Sequence, residues 1–307
     1  MPVLAIDRTK SYARMSQRSF DVQENCELLP FLIATFRSSS RTTVKSYLAH
    51  RQVEVNGRVE TRFDTPLCGG DRVSVFPGRR SNLLRHPMLR VVHEDDALIV
   101  IDKRSGLLSM GTERERRRTA YYILSEHVKR VDPAARIFIV HRLDRDTSGL
   151  MMFAKSEAVK RTLQENWDGM IRRRTYVAVV EGTLPRETGI VSTYLTENKG
   201  YKVFVTNRCE GERAVTHYRV LKAGTDRSML ELELETGKKN QIRAHMEYVG
   251  HSIVGDRKYG ATSDPLGRVA LHANRLAFVH PVTGAEMDFT SPAPAAFGAL
   301  VDKKKDN

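Results

Sequence analysis

MLELELE, residues 229–235, sets Leu230, Leu232 and Leu234 against Glu231, Glu233 and Glu235 in strict alternation. A period of two puts the leucines on one face and the glutamates on the other, the pattern of a half-buried antiparallel strand. Outward from it, AVTHYRVL (214–221), TYVAVVEG (175–182), LMMFAK (150–155), RIFIVHRL (136–143) and ALIVIDK (97–103) read as further strands. Helices are expected at 119–130, 156–167 and about 239–249. The last carries Ile242, Met246 and Val249 on one face, with Gly250 as its C-cap. Strands outnumber helices and do not alternate with them, so the class is α+β, not doubly wound.

The amino-terminal part has a different rhythm. Leu28, Leu29, Leu32, Ile33 and Phe36 recur at helical spacing, in a helix expected to begin near Pro30. A serine break at 38–40 caps a second helix, Arg41–His50, with Val44, Tyr47 and Leu48 on a shared face. VEVNGRVE (53–60) alternates around Asn56-Gly57, a tight hairpin signal, and Gly70-Asp71 turns the chain into the strand RVSVF. The expected division is an arm over 1–20, a small α+β domain over 21–77, a linker over 78–89, a larger domain over 90–300 and a basic tail over 301–307. Arg37, Arg41, Lys45 and Arg51 surround the second helix, facing either RNA phosphates or water.

The 307 residues are 40% hydrophobic and 28% charged, globular values that exclude wholesale disorder. No apolar run reaches the roughly 18 residues of a membrane span. The amino terminus lacks an apolar core with a cleavage site. A cytoplasmic monomer with no membrane partner is therefore expected. Cys26, Cys68 and Cys209 form neither a disulfide framework nor a zinc pattern. A net charge of +13 favours a polyanion, nucleic acid first.

The densest polar cluster is HRLDRDTSG, 141–149, lying between two strand-like runs. It offers a base or acceptor (His141), two guanidiniums (Arg142, Arg145), two carboxylates (Asp144, Asp146) and two hydroxyls. Asp146 and Ser148 read as local turn formers. Asp144, beside Leu143, reads as a carboxylate at a strand end partly in the core, where it needs a cationic partner or a function. Arg243, next to inward-facing Ile242, is either that partner or a surface arginine on an amphipathic helix. GxSxG, GxxxxGK[ST] and GxGxxG are all missing, and His217, His245, His251 and His272 lack metal-binding companions. Asp144 with Asp146 as a magnesium nuclease site has only weak support.

Two resemblances sharpen this reading. VKSYLAHRQVEVNGRVE followed by GDRV resembles the RNA-binding domain named after a ribosomal small-subunit protein, over roughly residues 25–77. HRLDRDTSGLMMFAKS matches every specified position of HRLDxxTSGxxxxAK, the signature of the large-subunit-type (RluA-type) pseudouridine synthases. IVIDKRSGLLS (99–109), RRTYVAVVEG (173–182), TGKKNQIRAH with GHSIVGDRKYG (236–260) and LHANRLAFVHP (271–281) support it in order.

That resemblance implies a mixed, mainly antiparallel catalytic domain with a central cleft, converting uridine to pseudouridine in structured RNA. Large-subunit ribosomal RNA is favoured over transfer RNA. It implies Asp144 as the catalytic carboxylate and Arg142 as the residue that displaces the target base. Tyr176 would pack on the base, and Arg243 would pair with Asp144. It implies neither cofactor nor metal. The family's TGRTHQIR stands here as TGKKNQIR, so Lys239 and Asn240 bring different contacts. A non-catalytic ribosomal RNA-binding protein is the rival reading.

Overall fold

The computed structural model describes residues 18–37, 39–49, 52–76, 84–130 and 132–302. They form two compact units. One holds the described residues up to Arg85 with His93–Asp96 and His127–Ala135; the other holds His86–Val92, Ala97–Glu126 and the chain from Arg136 onward.

In the first unit the elements are β1 (Arg18–Asp21), β2 (Cys26–Glu27), α1 (Leu28–Thr35), α2 (Arg41–Ala49), β3 (Val53–Val55), β4 (Arg58–Val59), β5 (Pro66–Leu67) and β6 (Arg72–Val75). An antiparallel sheet runs β1-β6-β3-β4, and the expected hairpin turns on Asn56 and Gly57 at φ 50° and 78°. Leu28, Leu32, Phe36, Val44 and Leu48 from the helices bury against Val53, Val73 and Val75. Helix α1 starts two residues before Pro30. A proline in the first turn forfeits no intrahelical bond, because those N–H groups have no partner there.

Two expectations need correcting here. Most of the arm over 1–20 lies outside the described residues, but Arg18–Phe20 belong to β1 and pair with β6. Within the expected linker, 78–83 lie outside the described residues, whereas Arg85–His86 and Leu89 are already strand. Of the tail over 301–307, residues 303–307 lie outside the described residues.

The chain continues with β7 (Arg85–His86), β8 (Leu89–Glu94), β9 (Leu98–Lys103), α3 (Ala120–Lys129), β10 (Phe138–Ile139), β11 (Ser148–Ala154), α4 (Glu157–Glu165) and α5 (Trp167–Met170), of which parts of β7, β8 and α3 belong to the first unit. Then come β12 (Ile171–Glu181), β13 (Thr188–Glu197), β14 (Val203–Thr206), β15 (Glu212–Ala223), β16 (Arg227–Leu234), α6 (Gln241–Tyr248), β17 (Leu271–Val279), β18 (Glu286–Thr290) and α7 (Ala295–Asp302). The sheet order is β14-β13-β15-β16-β12-β17-β11-β9-β8-β7, with β10 on β11 and β18 on β17. The fold is thus a mixed α and β one with a large, mostly antiparallel sheet; β11 with β17 is the parallel pair. The alternating stretch becomes β16, with Leu230 and Leu232 fully buried. All seven residues of β11 are buried, as a central apolar strand requires.

Candidate active site

Three segments converge at the middle of this sheet. The first runs from the end of β10 to β11 and carries Arg142 and Asp144. RIFIVHRL was expected to be one strand, yet only Phe138–Ile139 pair. Beyond them, His141 turns its ring so that Nε2 accepts from the Met152 N–H at 3.1 Å. Burial, with the Arg174 charge nearby, holds its pKa down at about 3. His141 is thus a neutral acceptor that shapes the loop, packed 5.6 Å from the Trp167 ring.

The loop is then fixed by the stretch 103–109. Ser109 Oγ donates to the Leu143 carbonyl at 2.6 Å and accepts from the Leu143 N–H at 3.1 Å. Fully buried Lys103 sends its ammonium to the carbonyls of Arg104, Leu107 and Arg145 at 3.1, 2.8 and 3.1 Å. Burial lowers its pKa to about 7, against the opposing pull of the Asp146 and Asp144 carboxylates. Ser105 Oγ donates to the Asp146 carbonyl at 2.8 Å. Both backbone neighbours of Asp144 are therefore held, and the carboxylate has little freedom to drift.

Ser148 corrects another expectation. It is no local turn former but the buried first residue of β11. Its hydroxyl shares a 2.9 Å bond with His272 Nδ1 and accepts from Arg268 Nη2 at 2.9 Å.

The second segment is β12, which presents Tyr176, 9% exposed, opposite Leu232 on β16 and Ala273 on β17. Burial raises the pKa of its hydroxyl. The third is the turn into α6. Gln241, 2% exposed, anchors it. Its amide nitrogen donates to Val215 O and Thr216 Oγ1, both at 2.9 Å, while its oxygen accepts from Thr236 Oγ1 and Lys238 N at 2.8 and 3.0 Å.

Arg243, one turn into α6, meets two carboxylates. Nη1 lies 3.3 Å from Asp144 Oδ2, and Nε and Nη2 donate to the two Asp256 oxygens at 2.6 and 2.8 Å. Its guanidinium sits 4.7 Å from the Tyr259 ring centroid. Burial opposes its charge, but the Asp256 and Asp144 carboxylates outweigh that and raise its pKa. Of the two readings of Arg243, the surface arginine is ruled out: its side chain is 12% exposed.

Lys239 and Asn240, which stand where the family pattern has Thr and His, part company. Lys239 lines the pocket but sends its ammonium away from Asp144, to Glu197 and to within 5.5 Å of the Tyr201 ring centroid. Asn240 stays, in a left-handed conformation at φ 50°. Its amide is oriented by its neighbours. The nitrogen donates to Asp144 Oδ2 and Oδ1 at 2.6 and 3.2 Å, and the oxygen accepts from the Tyr259 hydroxyl at 3.1 Å.

All four residues singled out from the sequence line one pocket of about 210 Å³. Asp144 and Arg243 sit together, Tyr176 forms a wall, and exposed Arg142 reaches over it, 3.9 Å from the Met110 sulfur. Asp256, Tyr259 and the Lys103–Ser109 cradle were not assigned a role from the sequence, although GHSIVGDRKYG and IVIDKRSGLLS contain them. A carboxylate flanked by a guanidinium, an amide and a buried aromatic wall can hold a flat polar ring and act on what is attached to it.

Known proteins place this pocket in context. A family model described as RNA pseudouridylate synthase matches residues 97–248. A Bacillus subtilis protein described as uncharacterized RNA pseudouridine synthase YlyB is 34% identical over 285 residues, 90% of this chain and 93% of its own. Ribosomal large subunit pseudouridine synthase D of Vibrio cholerae is 33% identical over 276 residues, 84% of this chain and 85% of its own. The solved structure of human RNA pseudouridylate synthase domain containing 4 shares the fold, with a TM-score of 0.56 at 24% identity over 68% of this chain and 90% of that one. With about a third of residues identical along most of both chains, the chain belongs to the RNA pseudouridine synthase family, and it is an isomerase.

Proposed function

We propose that this protein converts uridine to pseudouridine in structured ribosomal RNA of the large subunit, with Asp144 as the catalytic carboxylate. The observation that carries the reading is the Asp144–Arg243 pair, 3.3 Å apart, in a pocket walled by Tyr176. The RNA class rests on relatives bearing the name ribosomal large subunit pseudouridine synthase D, such as those of Vibrio cholerae and Salmonella typhimurium.

The reaction breaks the bond between uracil N1 and the ribose carbon, turns the ring and joins the same ribose carbon to uracil C5. The C5 proton leaves and N1 gains one, so nothing is oxidised and no water is consumed. A stacked uridine is out of reach, so the nucleotide must flip out at a cost of a few kcal/mol. Arg142, exposed at the pocket rim, fills the vacated space. Tyr176 packs on the uracil, a contact of about 1–3 kcal/mol for a base on an aromatic ring. Asp144 acts as nucleophile on the sugar or base, or as base toward a sugar proton, and either role requires the charged carboxylate. The Arg243 guanidinium stabilises that charge by direct attraction. In the smaller unit, exposed Arg37, Arg41 and Lys45 add sequence-independent affinity for phosphate; Arg51 lies outside the described residues.

Large-subunit ribosomal RNA transcribed with uridine tritiated at C5 tests the reading, since only isomerisation releases the label. The wild type should release tritium; Asp144→Asn should release none while binding RNA within a few-fold of wild type. Release by Asp144→Asn, or no release by the wild type, would sink it.

A further inference from the structure

Beside the pocket, and sharing Leu234, Gly237 and Lys238 with it, opens a groove of about 820 Å³. Its walls carry three consecutive arginines of β12, Arg172, Arg173 and Arg174, together with Arg213 and Trp167. Several of the groove's charges are satisfied within the protein. Arg173 pairs with Glu233 at 3.5 Å, Arg213 with Glu235 at 3.1 Å and Lys238 with Glu212 at 2.7 Å. Those pairs offset Glu233 and Glu235, and Asp168 is the remaining carboxylate of the groove wall.

Arg172 and Arg174 are different. Among the described residues neither meets a carboxylate within ion-pair distance. Arg174 is half-buried, its guanidinium 5.2 Å from the Trp167 ring centroid. Gly237 makes room for it: a Cβ there would lie 2.7 Å from Arg174 Nη1. A cation braced on an aromatic face keeps its charge. Holding such a charge partly out of water without a counter-charge is costly, and the cost is recovered when an anion arrives.

Position identifies the anion. Arg174 and Tyr176 are two residues apart on β12, so their side chains leave the same face about 6.6 Å apart, twice the rise of a strand residue. A group held by Arg174 therefore lies one short step from a base packed on Tyr176. We infer that this groove seats the single strand adjoining the target uridine, with Arg174, braced on Trp167, holding the phosphate of a neighbouring nucleotide. This assignment rests on the reading of Tyr176 as the wall of the uracil pocket. Exposed Arg172 continues the positive track further along the strand.

Trp167 is the sole tryptophan of the chain, so its fluorescence reports directly on the groove. A short unlabelled oligouridylate is the probe for emission, and a fluorescein-labelled one gives affinity by anisotropy over a range of salt. Saturating oligouridylate should change Trp167 emission in the intact protein. Arg174→Gln should weaken binding roughly tenfold, about 1.4 kcal/mol. It should also reduce the steepness of log K against log salt by about 0.7, the increment for one phosphate on a single strand. Arg174→Lys should restore the slope. Arg172→Gln changes a surface side chain that carries no packing, so its smaller loss of affinity tests the groove even if Arg174→Gln folds poorly. Unchanged Trp167 emission at saturation, or a wild-type salt slope in both glutamine variants, overturns the assignment. Tritium release by the wild type separates the two readings: release with unaltered slopes removes the groove and keeps the isomerase.

Discussion

Asn240 donates its amide nitrogen to both oxygens of Asp144, at 2.6 and 3.2 Å, while its own oxygen accepts from the Tyr259 hydroxyl. Arg243 reaches the same carboxylate and stands over the same tyrosine ring. The two residues hold Asp144 from different directions, and one of them is where this chain departs from its family's sequence pattern.

Removing the amide should therefore be felt in catalysis. A hydrogen bond to a charged group is worth about 1.5–3 kcal/mol. Asn240→Ala is expected to lower kcat/KM roughly ten- to hundredfold in the tritium-release assay, with RNA affinity little changed. Asn240→Asp, which sets a like charge against Asp144, should cost more. An alanine variant running at the wild-type rate would remove Asn240 from the account.

Asp256 is 1% exposed and makes two bonds to Arg243. Removing one partner of a buried pair costs about 3–5 kcal/mol when the remaining charge is left alone, an upper bound here because Asp144 still faces Arg243. Asp256→Ala should lose stability on that scale in urea unfolding of the intact chain. It should also lose activity, because Arg243 is freed to swing. Retention of both would show that Asp144 alone positions the guanidinium.

Gly149 sits at φ 113°, and a Cβ there would lie 2.2 Å from the Ala273 oxygen and 2.6 Å from its nitrogen. Backbone atoms of a paired strand cannot step aside cheaply. Gly149→Ala is expected to destabilise by at least about 2 kcal/mol, read from the urea midpoint. A change within about 0.5 kcal/mol, the range of an ordinary surface substitution, would contradict the geometry.

His245 is fully buried with Nε2 on Thr193 Oγ1 at 3.0 Å and Nδ1 on Thr216 Oγ1 at 2.9 Å. Burial lowers its pKa from 6.5 to about 4. Above pH 6.5 the ring is neutral in both folded and unfolded chains, and the pH has no leverage through it. As the pH falls toward 4 the unfolded chain takes up a proton that the folded one refuses, so stability declines across that window. His245→Gln should flatten part of that decline in urea midpoints measured from pH 7 to 4; an identical acid slope would count against it.

Much of the sheet was legible because its signal is local. Alternation in MLELELE and the continuous apolar run of LMMFAK depend on neighbours one or two residues away. The site was legible where polar groups crowd an apolar context, as at Asp144. Elsewhere the information is not local. Asp256 is 13 residues from Arg243, and only the turn after α6 brings them together. The cradle of Asp144 acts through backbone carbonyls gathered by Lys103, which any residue could supply. β12 begins at Ile171, ahead of the expected Thr175, because its arginines line a groove and so carry no apolar signal. β13, TGIVSTYLTE, has Gly and Thr where a core pattern would have apolar residues.

The parallel junction of β11 and β17 joins Ser148 to His272 and Gly149 to Ala273, partners 124 residues apart. A nascent chain that has reached Tyr248 contains Asp144, Tyr176 and Arg243, yet lacks Asp256 and the strand against which the Asp144 loop is set. Synthesis must run on from Tyr248 about as far as Ala273 before the strand that floors the pocket exists, so the catalytic side chains are all made before the frame that holds them.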